Sequence, residues 1–145
     1  MPMNGAATSK VLVRSVAAGS ILTAVRDCME RFDWQAWVKP DSTVVIKPNV
    51  CTAVPDIVVG ANTNPAVVRA VCEVLRTRTR RIYIGESRHL RQNPREAFAA
   101  AGYVEMARDL DVKLVNFSDG PFTLVDCPPA GKIKLPTLLL EAGKA

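Results

Sequence analysis

Histidine is nearly absent from this 145-residue chain, with His89 the only one. The four cysteines, Cys28, Cys51, Cys72 and Cys127, form no C-x-x-C pair. The nearest two stand about twenty residues apart, so neither a zinc ribbon nor a local iron–sulfur loop is written here. No apolar run approaches the roughly 20 residues that span a bilayer. Met1 to Ser9 has neither the cationic n-region nor the apolar core of a signal peptide, and the chain reads as cytoplasmic. No Walker loop, no G-x-G-x-x-G and no nucleophile elbow is present. Internal repeats and low-complexity segments are also missing.

What is present is globular. The composition is 48% hydrophobic and 23% charged, outside the disordered class. The length suits a single domain, residues 1–145. A chain of this size buries roughly 68–70% of its unfolded surface and needs no disulfide or metal to fold. The net charge of +5, from 19 basic and 14 acidic residues, suits an anionic ligand without requiring one.

Hydrophobic periodicity places the elements. Val11-Leu12-Val13 reads as a first strand. Ser20 is an N-cap, and Ile21, Val25, Cys28, Met29 and Phe32 recur at helical spacing over about 20–32. Trp34 and Trp37 follow and are expected to pack as a lid on the core. Thr43 to Lys47 is the clearest strand, a nearly unbroken apolar run of the kind buried on both faces in parallel sheets. The connection from Pro48 to Thr63 is long, and long connections are usually functional or mobile. Asn64-Pro65 opens a helix with buried stripe Val67, Val68, Val71, Cys72 and Leu75, ending near Arg78. Cys28 and Cys72 fall on apolar helix faces and are expected to be core thiols; Cys51 lies in a loop.

Arg81 to Ile84 is a third strand, stopping at Gly85-Glu86-Ser87. Asn93-Pro94 starts a helix that Gly102 breaks, and a second helical piece carries Tyr103, Met106, Ala107 and Leu110. Val112 to Val115 is a fourth strand, closed by Ser118-Asp119-Gly120. Phe122 to Val125 and Lys132 to Lys134 form a short β-hairpin around Pro128-Pro129-Ala130-Gly131, and Pro136 to Ala142 begins an apolar helix. Strand–helix alternation at this spacing predicts an α/β fold: a mostly parallel open sheet flanked by helices, with right-handed crossovers.

Ligands of open α/β sheets sit beyond the carboxyl ends of the strands. Reading outward from each strand gives Lys47-Pro48-Asn49, Gly85-Glu86-Ser87 and Ser118-Asp119-Gly120, with the helix start at Asn62 to Pro65 on the same edge. A helix N-terminus offers unpaired N–H groups and about half a positive charge. Lys47 adds a full charge, Asn49, Thr63 and Ser87 can donate to oxygen, and the Thr63-Asn64 helix start holds the anion with Lys47. These six residues with Glu86 as the carboxylate (Lys47, Asn49, Thr63, Asn64, Glu86, Ser87) make a candidate rim for a phosphate, carboxylate or nucleotide-like molecule. Glu86 could hold a ribose hydroxyl, bind a cation or act as a base. Arg88-His89-Leu90-Arg91 adds positive charge nearby.

Each feature also has a plainer reading. Lys47 is then a solvated edge charge, Asn64-Pro65 only a helix cap, Gly85 a turn glycine, and His89 a surface loop residue. Glu86 then pairs with Arg88 or Arg91. The cluster Arg76, Arg78, Arg80 and Arg81 complements a helix C-terminus. No aromatics interleave with it, which argues against nucleic acid.

The runs Val44-Val45-Ile46-Lys47-Pro48-Asn49, Thr63-Asn64-Pro65-Ala66-Val67-Val68-Arg69-Ala70-Val71, Ile84-Gly85-Glu86-Ser87 and Ala101-Gly102-Tyr103 before Val112-Lys113-Leu114-Val115 come in an order and spacing that resemble the family catalogued as domain of unknown function 362. The resemblance covers about residues 40 to 142. Members often carry Asp where this chain has Glu86. The resemblance implies an iron–sulfur association, since some members have ferredoxin-like cysteine clusters; this chain has no such motif, so its cofactors stay unassigned. It also implies that the chain is the N-terminal half of a longer domain.

Two functions follow as expectations. In one, the rim binds an anionic small molecule in a redox or cofactor-related setting. In the other, the chain is a non-catalytic module that binds itself or a partner. An unfinished sheet exposes an edge that proteins tend to cover, so a homo-oligomer or a complementing C-terminal segment is expected, with no membrane partner.

Overall fold

The computed structural model describes residues 10–16, 20–89 and 92–142. Three parallel strands, β1 (Val44–Ile46), β2 (Ile82–Glu86) and β3 (Lys113–Asn116), lie in the order β1-β2-β3. Register runs Val44 to Ile82 and Ile46 to Ile84 on one side, and Tyr83 to Lys113 and Glu86 to Asn116 on the other. Parallel neighbours demand crossovers, and helices supply them. Helices α2 (Pro55–Ala61) and α3 (Pro65–Leu75) join β1 to β2, while α4 (Pro94–Ala100) and α5 (Tyr103–Asp109) join β2 to β3. The chain is an α/β protein, as its periodicity predicts.

Side-chain alternation along β2 sends Ile82 and Ile84 into the helical layer, where both are buried. There they join Val68, Cys72, Leu75, Phe98, Tyr103 and Met106 in one core. Helix α1 (Ile21–Arg31) packs on the outside of α3, starting where the Ser20 Oγ accepts from the Thr23 N–H at 3.1 Å. Because α3 is covered by both α1 and the sheet, its buried face is wider than the expected stripe. Ala70 and Val74 are buried along with Val68, Cys72 and Leu75, whereas Val67 is turned out and Val71 is only half-buried.

The second face of the sheet is covered differently. The Phe117 ring lies across Gly85 so closely that a Cβ built on Gly85 would fall inside it. Gly85 is therefore a packing glycine, required by the ring rather than by a turn. Beyond Phe117 a hairpin, β4 (Phe122–Asp126) with β5 (Lys132–Pro136), leads into α6 (Thr137–Ala142), which contacts β1.

Four expectations are corrected. Val11 to Val13 is extended but joins no ladder, and Val11 and Val13 are 84% and 81% exposed. Local β-preference does not make a strand without a partner edge. In the run at Thr43 to Lys47 the apolar Val44, Val45 and Ile46 are each half-buried, not buried on both faces, because β1 is an edge strand and β2 is the central one. Trp34 is buried, but Trp37 is 72% exposed, since the 3-10 turn holding Trp34 ends at Ala36. Cys72 is a core thiol, whereas Cys28 is only half-buried on α1, a helix with no buried residue.

Candidate functional site

The parallel order brings the carboxyl ends of β1, β2 and β3 side by side, and the polar loops leave from that edge. The central contact joins the first two ends. The Lys47 Nζ donates to the Glu86 Oε2 at 2.8 Å. Lys47 keeps 57% of its side chain exposed, whereas Glu86 keeps 11%. Glu86 is thus the inner partner. Its Oε2 also accepts from the Val50 N–H at 3.4 Å, and its Oε1 accepts from the Ser87 N–H at 2.8 Å. A buried carboxylate needs such donors, because leaving it unpaired costs far more than the bonds return. Of the plainer pairings for Glu86, the one with Arg88 gives way to Lys47, and Arg91 lies outside the described residues.

Asn49 and Thr63 form a second joint. The Asn49 N–H donates to the Thr63 Oγ1 at 3.0 Å, and the Thr63 N–H donates back to the Asn49 carbonyl at 2.8 Å. The Asn49 side-chain amide donates to the Ala61 carbonyl at 2.7 Å. This fastens the segment after β1 to the start of α3. There the Asn64 Oδ1 accepts from the Ala66 N–H at 2.9 Å and Pro65 takes the first helical position, the capping arrangement expected from sequence. Ser87 contributes its backbone N–H to Glu86, and its side chain is exposed.

All six predicted site residues therefore flank one edge, in two linked groups. Lys47, Glu86 and Ser87 form one; Asn49, Thr63 and Asn64 form the other. Residues 47–50 connect them.

Sequence reasoning missed three supports. The Asn62 Oδ1 accepts from the Cys51 and Thr52 N–H groups at 2.9 and 3.2 Å, and its amide donates to the Thr52 carbonyl at 2.8 Å. One side chain thus replaces a strand partner for the loop after β1. The Tyr103 hydroxyl, from a fully buried ring, donates to the Thr63 carbonyl at 2.9 Å. The Gln92 side chain accepts from the Ala53 N–H at 3.2 Å. Asn62 could have been suspected from the Asn62-Thr63-Asn64 run; the other two are contacts across 39 and 40 positions and leave no local signal.

The third strand end is tied down internally. The Asn116 amide donates to the Asp119 Oδ1 at 2.9 Å, the Ser118 Oγ accepts from the Arg88 N–H at 2.8 Å, and Arg95 pairs with Asp119 at 2.9 Å. Lys47 is offset by Glu86 and Arg95 by Asp119. The Arg88 side chain is exposed and has no ionic partner among the described residues. His89 is exposed, and its backbone pairs with Gln92. Of the arginine cluster, Arg76 donates to the Leu110 and Asp111 carbonyls, capping the end of α5 rather than its own helix.

Two titrating groups beneath this edge are shifted. Burial pushes the Cys72 thiol up to about 11. Burial, with the neighbouring Cys72 second, pushes the Tyr103 hydroxyl up to about 12. Both stay protonated near neutrality, so Tyr103 remains a donor to Thr63.

The chain matches a family model, Domain of unknown function (DUF362), over residues 44–144. It belongs to that family. No curated protein and no solved structure matches it. Among the described residues the cysteines do not assemble the cluster ligands that some members carry. Cys72 is buried in the core and Cys127 is exposed in the hairpin turn. Among the described residues no group of three or more His, Cys, Asp or Glu could hold a metal ion. No helix among them is long and apolar enough to cross a membrane.

Proposed function

We propose that this member of the family binds an anionic small molecule at the carboxyl edge of its sheet. The observation that carries the reading is the Lys47 ammonium, more than half exposed yet held from beneath by a buried carboxylate that two backbone N–H groups also fix. A solvated surface lysine has no such anchor. Holding the amine in place removes conformational entropy that binding would otherwise have to spend. Thr63 and Asn64, fastened to the same segment, supply neutral donors, and Arg88 supplies the charge that Glu86 removes from Lys47. The modest net charge favours one carboxylate or phosphate over a polyphosphate. A thermal-shift screen with phosphates, nucleotides and carboxylates tests this: a stabilising anion is expected, and Lys47→Met should reduce its effect while keeping the side-chain stem. Anion hits whose stabilisation is undiminished in Lys47→Met would place the site elsewhere.

A second reading, self-association or partner binding, is favoured by a separate observation. From Ser118 to Ala142 no residue is buried, although the stretch includes Phe122 and Leu124, which are 47% and 62% exposed. A two-stranded hairpin is marginal alone. Light scattering across a concentration series tests the reading, and a monomer at every concentration would remove self-association.

A further inference from the structure

Helix α2 is the least conventional element of the fold. It has no buried residue, and it is broken at Val59 and Gly60, where Gly60 takes φ +96°, a value that only glycine adopts without strain. The break turns Val59 outward until it is 92% exposed, more than any other large apolar side chain described. Between this kinked turn and the start of α3 lies a cleft of about 440 Å³, within the size range of small-molecule pockets. Its apolar lining includes Val58, Val59, Pro65, Ala100 and Ala101; Thr63 and Asn64 stand among its polar lining. Among the described residues no lysine, arginine, aspartate or glutamate lines it.

Thr63 and Asn64 are also members of the anion rim. The Asn64 Oδ1 is used by the Ala66 N–H, which leaves the amide nitrogen of Asn64 free of partners among the described residues. A cleft with no charged lining among the described residues therefore meets the proposed anion rim at two shared residues. We propose that the cleft holds the uncharged apolar body of the ligand whose anionic group the rim takes. The ligand class is then a monocarboxylate with a short hydrocarbon or aromatic body, and not a nucleoside polyphosphate, whose charges would find no cation in the cleft. This inference rests on the anion-binding reading above and specifies its substrate class.

The test is a homologous series, acetate, butyrate, hexanoate and octanoate, titrated into the whole chain by calorimetry, with hexanol as the uncharged control. Burial of each methylene should tighten binding about fourfold until the cleft is filled. Val59→Asp, at a side chain that packs on nothing, should keep the melting temperature and flatten the series. Ala100→Trp, at an exposed wall position, should do the same by occupying the space. Lys47→Met should weaken all acids by a similar factor and leave the length dependence intact. Affinity that is independent of chain length, or a series that keeps its slope in Val59→Asp and Ala100→Trp, overturns the proposal. A flat series that still depends on Lys47 rejects the cleft alone; a steep series indifferent to Lys47 rejects the rim alone. No binding of any acid rejects both.

Discussion

The Lys47 Nζ lies 2.8 Å from the Glu86 Oε2, although the two residues are 39 positions apart in the chain. The pair joins the carboxyl ends of two neighbouring strands, and its members are not equivalent. Lys47 faces water, whereas Glu86 is buried and serves two backbone donors as well. Glu86→Ala should therefore destabilise by about 1–3 kcal/mol, because the Val50 and Ser87 N–H groups lose their acceptor. Lys47→Ala should cost about 1 kcal/mol or less, since water screens an exposed amine. Urea denaturation of the two variants checks the asymmetry, and equal losses would show that the ion pair itself dominates.

Gly85 and Phe117 make a second testable relationship. Gly85→Ala places a methyl group inside the Phe117 ring and should cost about 1–3 kcal/mol or more by overpacking. In a Phe117→Ala background the same change should cost much less. A double-mutant cycle measures the difference, and additive losses would mean that the ring does not lie on the glycine.

Asn62 holds the loop after β1 through three hydrogen bonds to Cys51 and Thr52. Asn62→Ala should cost about 1–2 kcal/mol. Amide exchange should accelerate at Cys51 and Thr52 before it does at Ile82 and Ile84. Uniform acceleration would indicate global destabilisation instead of a freed loop.

Alkaline pH should unfold the protein through buried acids. The Cys72 thiol moves from 9.0 to about 11 and the Tyr103 hydroxyl from 10.0 to about 12. Between the unfolded and folded values the native state keeps a proton that the unfolded chain has released. Stability is thus fully present below pH 9 and is lost as pH rises to about 12, with a slope of about 1.4 kcal/mol per pH unit for each group. Cys72→Ala should remove the portion that begins near pH 9. At neutral pH, thiol reagents should label exposed Cys127 first and buried Cys72 last.

The layers of this fold are legible in the sequence because their signals are local. Ser20, Asn64-Pro65 and Asn93-Pro94 each mark a helix start that the structure keeps. The runs Thr43 to Lys47, Arg81 to Ile84 and Val112 to Val115 each become a strand, shifted by one or two residues at the ends. What fails is whatever depends on a distant partner. Val11 to Val13 has the composition of a strand, yet no edge pairs with it. Trp37 has the character of a core residue, yet the turn before it ends one residue too soon. The six rim residues could be nominated because strand ends converge on one edge in any parallel sheet. The pairing of Lys47 with Glu86, and the hydrogen bond from Tyr103 to Thr63, required the crossovers to be laid out in space.

The central claim is that anions bind at the carboxyl edge of the sheet, and chemical-shift mapping tests it most directly. With hexanoate titrated into the isotopically labelled chain, the account predicts saturable shifts concentrated at Lys47 to Thr52, Val59 to Ala66 and Glu86 to Arg88. Shifts absent from these three segments, or confined to the hairpin and α6, would contradict it.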